Sequence, residues 1–167
     1  MEFTYRKSLL RDITDFKSIL NEDKDMARRT FLAYNINDEI HYLFTGELIP
    51  SSLNQLYTIE HNMEIIGFIH FYGFDATNST IKLGYFLKKN FRGKGLMGPI
   101  CKKLINSILE TNRINKISVL VASNNKPSIR FIEKLNFRLE KRILTFNIFK
   151  YLTCRDLRLY SLSKQIY

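Results

Sequence analysis

Between Ile81 and Leu109 the hydrophobic period changes once, from that of a strand to that of a helix, and the residues at the change carry most of the chemistry. Ile81 to Leu87 is rich in β-branched and aromatic residues and reads as a strand. The chain then turns basic at Lys88, Lys89, Arg92 and Lys94, with glycines at Gly93, Gly95 and Gly98. Beyond them Leu96, Ile100, Leu104 and Ile108 form one apolar row, and Met97, Cys101, Ile105 and Leu109 the next. Lys102, Lys103, Asn106 and Ser107 fall on the opposite side, as in an amphipathic helix.

The same reading extends to both sides. Phe3 to Leu9 alternates loosely, as an edge strand does. A helix opens near Leu10, with Asp12 or Thr14 as its N-cap and Ile13, Phe16, Ile19 and Leu20 as its buried face. Met26 to Tyr34 predicts a second helix, and Asp38 to Phe44 a further piece ended by Gly46 and Pro50. Leu53 to Glu60 and Met63 to Tyr72 read as strands joined by a His61-Asn62 hairpin turn, with Glu60 and His61 solvated at its tip. Ile117 to Val121 is an apolar strand. Pro127 suits the start of a helix running to Leu135, and Phe137 to Leu144 and Leu157 to Leu162 complete the strands. This order predicts an α/β fold, a mixed sheet flanked by helices, in one domain spanning residues 1–167.

Composition adds bounds. A chain of 167 residues, 45% hydrophobic and 13% aromatic, buries a single core. No apolar run approaches the roughly 18 residues of a membrane span, and Met1 to Leu10 lacks a signal-peptide core. Cys101 and Cys154 are far apart with no His or Cys cluster beside them, so no disulfide framework and no metal site are expected, and a cytoplasmic location is. Cys101 belongs to an apolar row and reads as a packing residue. The net charge of +10 concentrates partly around the glycines, with denser spots at Arg28-Arg29, Lys141-Arg142 and Arg155/Arg158; solvated surface is the default for such pairs, an acidic or ribosomal acceptor the sharper alternative.

Strand, glycine loop and helix N-terminus together aim unpaired backbone N–H groups at one spot, a site for a phosphorylated ligand. Gly93 to Gly98 matches the dinucleotide fingerprint literally, but Lys88 to Arg92 separates strand from glycine, and Lys116 to Ala122 runs into Ser123, Asn124 and Asn125 with no carboxylate for a ribose. A nucleotide-triphosphate loop fails because Pro99 follows the glycines. A glycine turn that merely packs is the remaining competitor.

Arg92-Gly93-Lys94-Gly95-Leu96-Met97 resembles the acetyl-CoA loop of the GNAT family of N-acetyltransferases, with Met97 in place of the pattern's last small residue and Gly98 just after. Leu83-Gly84-Tyr85-Phe86-Leu87 resembles the strand that precedes it. A second resemblance covers Ala122 to Glu140, where Asn125, Ser128 and Glu133-Lys134-Leu135-Asn136-Phe137 follow the family pattern with Asn136 for glycine. Asp156, Tyr160 and Ser161 resemble the closing strand of the RimJ/RimL branch, which acetylates ribosomal-protein N-termini.

The resemblance implies acetyl transfer from acetyl-CoA to an amine by direct attack in a ternary complex. Backbone groups at Phe86 and Leu87 would polarise the thioester, Arg92, Gly93, Lys94, Gly95, Leu96, Met97 and Gly98 would hold the pyrophosphate, and Asn125 would contact the pantetheine. Ile132 occupies the position of the tyrosine that protonates the thiolate in many members, which leaves Ser128 as the candidate acid, with a serine that merely caps its helix as the alternative. Lys82 and Asn147 stand where carboxylate bases occur, so His70 is the candidate base, on the strength of its ordinary pKa near neutrality. Expected partners are an amine acceptor, either a protein N-terminus (ribosomal among them) or a small molecule, and a second copy of the chain, with no membrane or nucleic acid. A non-catalytic acyl-CoA-binding protein on the same fold is the alternative.

Overall fold

A computed structural model of the chain describes residues 3–31, 55–111, 113–144 and 156–164, and, within these, the side chains of all but residues 28–31. The strands are β1 (Phe3–Lys7), β2 (Gln55–His61), β3 (Glu64–Asp75), β4 (Thr80–Leu87), β5 (Lys116–Ala122), β6 (Arg138–Leu144) and β7 (Asp156–Ser163). The helices are α1 (Ile13–Glu22), α2 (Lys24–Phe31), α3 (Met97–Glu110) and α4 (Lys126–Lys134). They build the expected mixed sheet, seven strands in the order β1-β2-β3-β4-β5-β7-β6, flanked by helices. Only the central β4–β5 pair is parallel.

Each face of the sheet takes its cover from the period of two along the strands. Ile81, Leu83 and Leu87 of β4 meet Ile100, Cys101, Leu104, Ile105 and Ile108 of α3, with Ile129 and Ile132 of α4 in the same cluster. Phe68 and Phe86 point the other way, onto Phe16, Ile19 and Leu20 of α1 and Ala27 of α2. The apolar rows read from sequence are therefore the core of α3, and Pro99 sits in its first turn, where no helical hydrogen bond is lost. Cys101 is fully buried, as its row requires, and burial pushes its thiol pKa up.

Several local expectations shift. The β2–β3 turn is Asn62-Met63, one residue later than predicted, with φ of 49° and 64°. His61 stays in β2 because it pairs with Phe3 and its ring stacks on the Phe3 ring at 4.3 Å. Glu60, expected to be solvated, is 2.8 Å from Arg6. α2 starts at Lys24 rather than Met26, since the Asp23 carboxylate accepts the Met26 N–H at 3.1 Å. Tyr34, the Asp38 to Phe44 piece, Asn147, Cys154 and Arg155 lie outside the described residues. Asn136 ends α4 at φ 66°, the left-handed conformation asparagine tolerates.

Asp12 precedes α1 but does not cap it. Its carboxylate, 1% exposed, turns back to accept from Arg6 Nη1 (2.7 Å) and Nη2 (2.9 Å), the Leu9 N–H (2.9 Å) and the Thr58 hydroxyl (2.8 Å). Burial alone would raise its pKa; Arg6, Leu9 and Thr58 together outweigh burial and hold it down to about 2. The group therefore stabilises the fold fully above its unfolded pKa of about 3.9 and loses that contribution as pH falls toward 2. Arg6→Met removes the cation and leaves burial dominant, so Asp12 should then favour folding in its protonated form. We expect a loss of about 3 kcal/mol at pH 7, and a melting temperature that rises as the variant is acidified from pH 7 toward 5, a range in which Asp12 contributes no change in wild type. Parallel melting profiles of the two proteins across that range would contradict the assignment.

Candidate active site

β4 and β5 are in register only over Thr80↔Lys116, Ile81↔Ile117 and Lys82↔Ser118. Beyond these pairs β4 continues against β3 as far as Leu87, and β5 continues against β7 as far as Ala122, without a further pair between them. The sheet is therefore split at its centre. The Lys88 N–H reaches Ile66 O at 2.8 Å, so by the strand period Phe86 also turns its backbone toward β3, while Tyr85 and Leu87 turn theirs toward the split. Of the expected pair Phe86 and Leu87, it is Leu87 whose backbone borders the opening; the Phe86 side chain is packed under α1 and α2.

At the end of β4, a short 3-10 turn, Lys89–Phe91, leads into the glycine loop. Gly93 and Gly95 take φ of 75° and 76°, and a Cβ at Gly93, Gly95 or Gly98 would meet no atom within 4 Å. The left-handed backbone at two of these positions is glycine's to adopt, and the space beside all three is open. Leu96 lies just before α3 and Met97 begins it, so the first-turn N–H groups have no partner within the helix. Together the open loop and the helix N-terminus suit an anion such as a pyrophosphate.

The basic side chains are less available to that anion than the sequence suggested. Arg92 Nη1 lies 2.6 Å from Asp23, its Nε donates to Leu87 O at 2.7 Å, and its guanidinium stands 5.0 Å from the Phe86 ring centroid. Arg92 thus ties the loop to β4 and to the α1–α2 junction. Lys88 pairs with Glu64 at 2.7 Å. Lys94 remains exposed on the loop, its ammonium 5.6 Å from the Phe91 ring centroid.

On the other side of the split, Asn125 caps α4: its Oδ1 accepts the Ser128 N–H at 3.3 Å. Its Nδ2 lies 3.9 Å from Met26 Sδ of α2. Ser128 is therefore not the cap. Its hydroxyl lies 2.5 Å from the Tyr85 hydroxyl. Tyr85 comes from β4 and Ser128 from α4, so this one bond spans the split. The Tyr85 ring packs against Phe131 at 4.9 Å, and burial pushes its phenol pKa well above the ordinary 10, against the opposing influence of the Ser128 bond.

His70 does not join this group. It lies on β3 over Gly84, on the α1/α2 side, where a Cβ at Gly84 would come within 1.9 Å of its Nε2. It stacks on Tyr72 at 4.4 Å, and burial pushes its pKa down to about 3. The ordinary pKa that made it a candidate base is thus lost. At the β2–β3 hairpin end of the sheet, a groove of about 590 Å³ is lined by Arg6, Arg11, Asp15, Glu60 and Met63 among others, and takes in none of the residues at the split. Among the described residues no group of three or more His, Cys, Asp or Glu could hold a metal. No described helix is long and apolar enough to cross a membrane.

Comparison with known proteins agrees with this geometry. The acetyltransferase (GNAT) domain family matches residues 5–138, and the chain belongs to that family. A putative ribosomal N-acetyltransferase of Bacillus subtilis, YdaF, is 30% identical over 73 residues, 44% of this chain and 40% of that protein. The chain spans between 40% and 55% of the length of the curated relatives it matches. Among solved structures, RimL, a ribosomal L7/L12 α-N-protein acetyltransferase in complex with coenzyme A, superposes with a TM-score of 0.80 at 17% identity, over 96% of this chain and 93% of that one. The microcin C7 self-immunity acetyltransferase MccE, in complex with acetyl-CoA and AMP, gives 0.78 at 23% identity, over 98% and 93%. These two likenesses establish a shared fold, so the chain is RimL-like in architecture.

If Asn125 holds the first turn of α4, Asn125→Ala should cost about 1 kcal/mol, whereas Asn125→Ser should retain most of the stability. Thermal melts of the two variants check this; equal melting temperatures for Ala and Ser would remove the cap.

Proposed function

We propose that the chain is an acetyl-CoA-dependent N-acetyltransferase that acetylates a primary amine by direct attack within a ternary complex. The observation that carries the reading is the split between β4 and β5, with the glycine loop and α3 N-terminus at its mouth and Ser128 across it. When bound, acetyl-CoA supplies the acetyl group as a thioester. The N–H groups of the Gly93–Gly98 loop hold the pyrophosphate, with Lys94 as the exposed cation and Arg92 as a brace for the loop. Backbone at Leu87 borders the thioester, and Asn125 meets the pantetheine from the opposite side. Ser128 receives the departing sulfur: as the C–N bond forms and the C–S bond breaks, the electron pair stays on sulfur, its charge is met by the Ser128 hydroxyl, and the proton shed by the attacking nitrogen goes to solvent.

The acceptor is a protein N-terminus or a small amine. Among the described residues His70 is pushed down to about 3 and Lys82 stands at the position of a carboxylate base, so on this reading the amine reaches the site already neutral, its proton having gone to solvent. That same feature favours one second reading, a protein that binds acyl-CoA without turning it over. Cytoplasmic location and assembly as a homodimer accompany the main reading as expectations. Thiol release from acetyl-CoA across a panel of primary amines, with intact-mass analysis of ribosomal proteins, separates enzyme from binder and one acceptor class from the other.

Two outcomes follow for the cofactor. Gly95→Val places a side chain in the open loop and forces a β-branched residue to φ near 76°, so acetyl-CoA binding by calorimetry should be lost while the circular dichroism spectrum is kept. Lys94→Ala should flatten the dependence of that affinity on ionic strength, whereas Arg92→Ala should act chiefly on the melting temperature. An unchanged affinity for Gly95→Val would sink the phosphate-loop assignment.

A pH profile tests whether the amine arrives neutral. kcat/KM should rise with pH and level off only at the acceptor's own pKa, about 8 for a protein N-terminus and above 10 for an alkylamine. A plateau beginning near pH 6 to 7 would reveal a base on the enzyme and contradict the account.

A further inference from the structure

The geometry points to Tyr85 as the residue that aims the Ser128 hydroxyl proton at the departing sulfur, a positioning role that rests on the proposed acetyltransferase reading. The two hydroxyls lie 2.5 Å apart, and they come from opposite sides of the split. Between a phenol and an alcohol the phenol is the more acidic, so the stronger arrangement has Tyr85 donating and Ser128 Oγ accepting. Once Ser128 Oγ has accepted, its own hydrogen is free to point elsewhere. The Ser128 backbone N–H goes to Asn125 Oδ1, so the cap is made by Asn125 and does not use the serine hydroxyl.

The environment is compatible with this polarity. Tyr85 as a residue is partly exposed, but burial at the phenol raises its pKa, so it stays protonated and remains a donor throughout the working pH range. The titratable neighbour from α3 is Cys101, whose own burial pushes it up as well, so it adds no anion that would reverse the bond. Phe131 packs on the Tyr85 ring at 4.9 Å and holds the phenol in place from α4 itself. A donor that polarises Ser128 makes it a better donor in turn, because linked hydrogen bonds reinforce one another. Neither hydroxyl gives up its hydrogen in this arrangement: the sulfur keeps the C–S electron pair and accepts a hydrogen bond from Ser128, while the attacking nitrogen loses its proton to solvent.

The direct test reads the thiol of coenzyme A bound to the intact protein, by its thiolate ultraviolet absorbance during a pH titration, and needs no acceptor. A hydrogen bond aimed at sulfur stabilises the thiolate, so in wild type the bound thiol should titrate below the value that free coenzyme A shows in the same buffer. Ser128→Ala should raise that pKa by about one to two units, and Tyr85→Phe by up to about one unit, a roughly tenfold smaller thiolate fraction at a given pH. The double variant should match Ser128→Ala, because Tyr85 acts only through the serine. In steady-state assays Tyr85→Phe should lower kcat by about tenfold and leave KM for acetyl-CoA unchanged. A thiol pKa in Tyr85→Phe equal to wild type, or shifts that add in the double variant, overturns the positioning role. A wild-type protein that does not bind coenzyme A fails the acetyltransferase reading itself, and is told apart because no bound thiol signal appears. Ser128→Thr, which keeps a hydroxyl, should retain the Tyr85 dependence and guards against a folding defect in the alanine variant.

Discussion

Everything proposed for this protein depends on the parting of two parallel strands. β4 and β5 pair over three residues and then separate, although each keeps its antiparallel partner on the far side. A backbone edge left unpaired inside a sheet is costly unless something satisfies it. Here the opening is bridged by the Tyr85–Ser128 bond and bordered by Arg92 on Leu87 O, and the remaining edge is the one the proposed function assigns to a ligand that can pair with backbone. The glycine loop lies at its mouth because β4 runs directly into it, and α3 packs on the same strand through Ile81, Leu83 and Leu87.

The helices on the other face are connected to that opening through few but specific contacts. Asp23 both caps α2 and pairs with Arg92, and burial, which would raise its pKa, is outweighed by Arg92 and the Met26 N–H, so it stays ionised. Met26 of α2 in turn approaches Asn125 at the head of α4. The α1–α2 junction, the glycine loop and the α4 cap thus form one chain of contacts around the split, and a displacement of α2 would be felt at both the loop and Asn125.

Local pattern made the fold legible where one element carries its own signal. The period change at Ile81 to Leu109 predicts β4, the loop and α3 almost to the residue, because an apolar strand, glycines at positive φ and a two-row helix each follow from nearest neighbours along the chain. Asn136 at a left-handed helix end and Cys101 in the core follow for the same reason. Of the candidate site, the sequence offered the loop, Leu87, Asn125 and Ser128, but not the contacts that join them. Tyr85 reads from sequence as one more strand aromatic, and nothing in the spacing joins it to a serine 43 residues away. Arg92 reads as a ligand for phosphate, yet its partner Asp23 is 69 residues distant. His70 reads as a base of ordinary pKa, and only the packing of Phe68, Tyr72 and Gly84 around it shows why that value is lost. The hairpin turn shifted by one residue because Phe3, from β1, holds His61 in the strand.

The central claim is that the split in the sheet is where acetyl-CoA lies. Amide hydrogen exchange measured residue by residue, with and without acetyl-CoA, tests it most directly. The account predicts new protection at the Tyr85 and Leu87 amides, which face the split, and along Gly93 to Gly98, with no change at Phe86, already paired to β3. Protection confined to the groove around Arg6, Arg11 and Asp15, or none at Leu87 and the glycine loop, would contradict it.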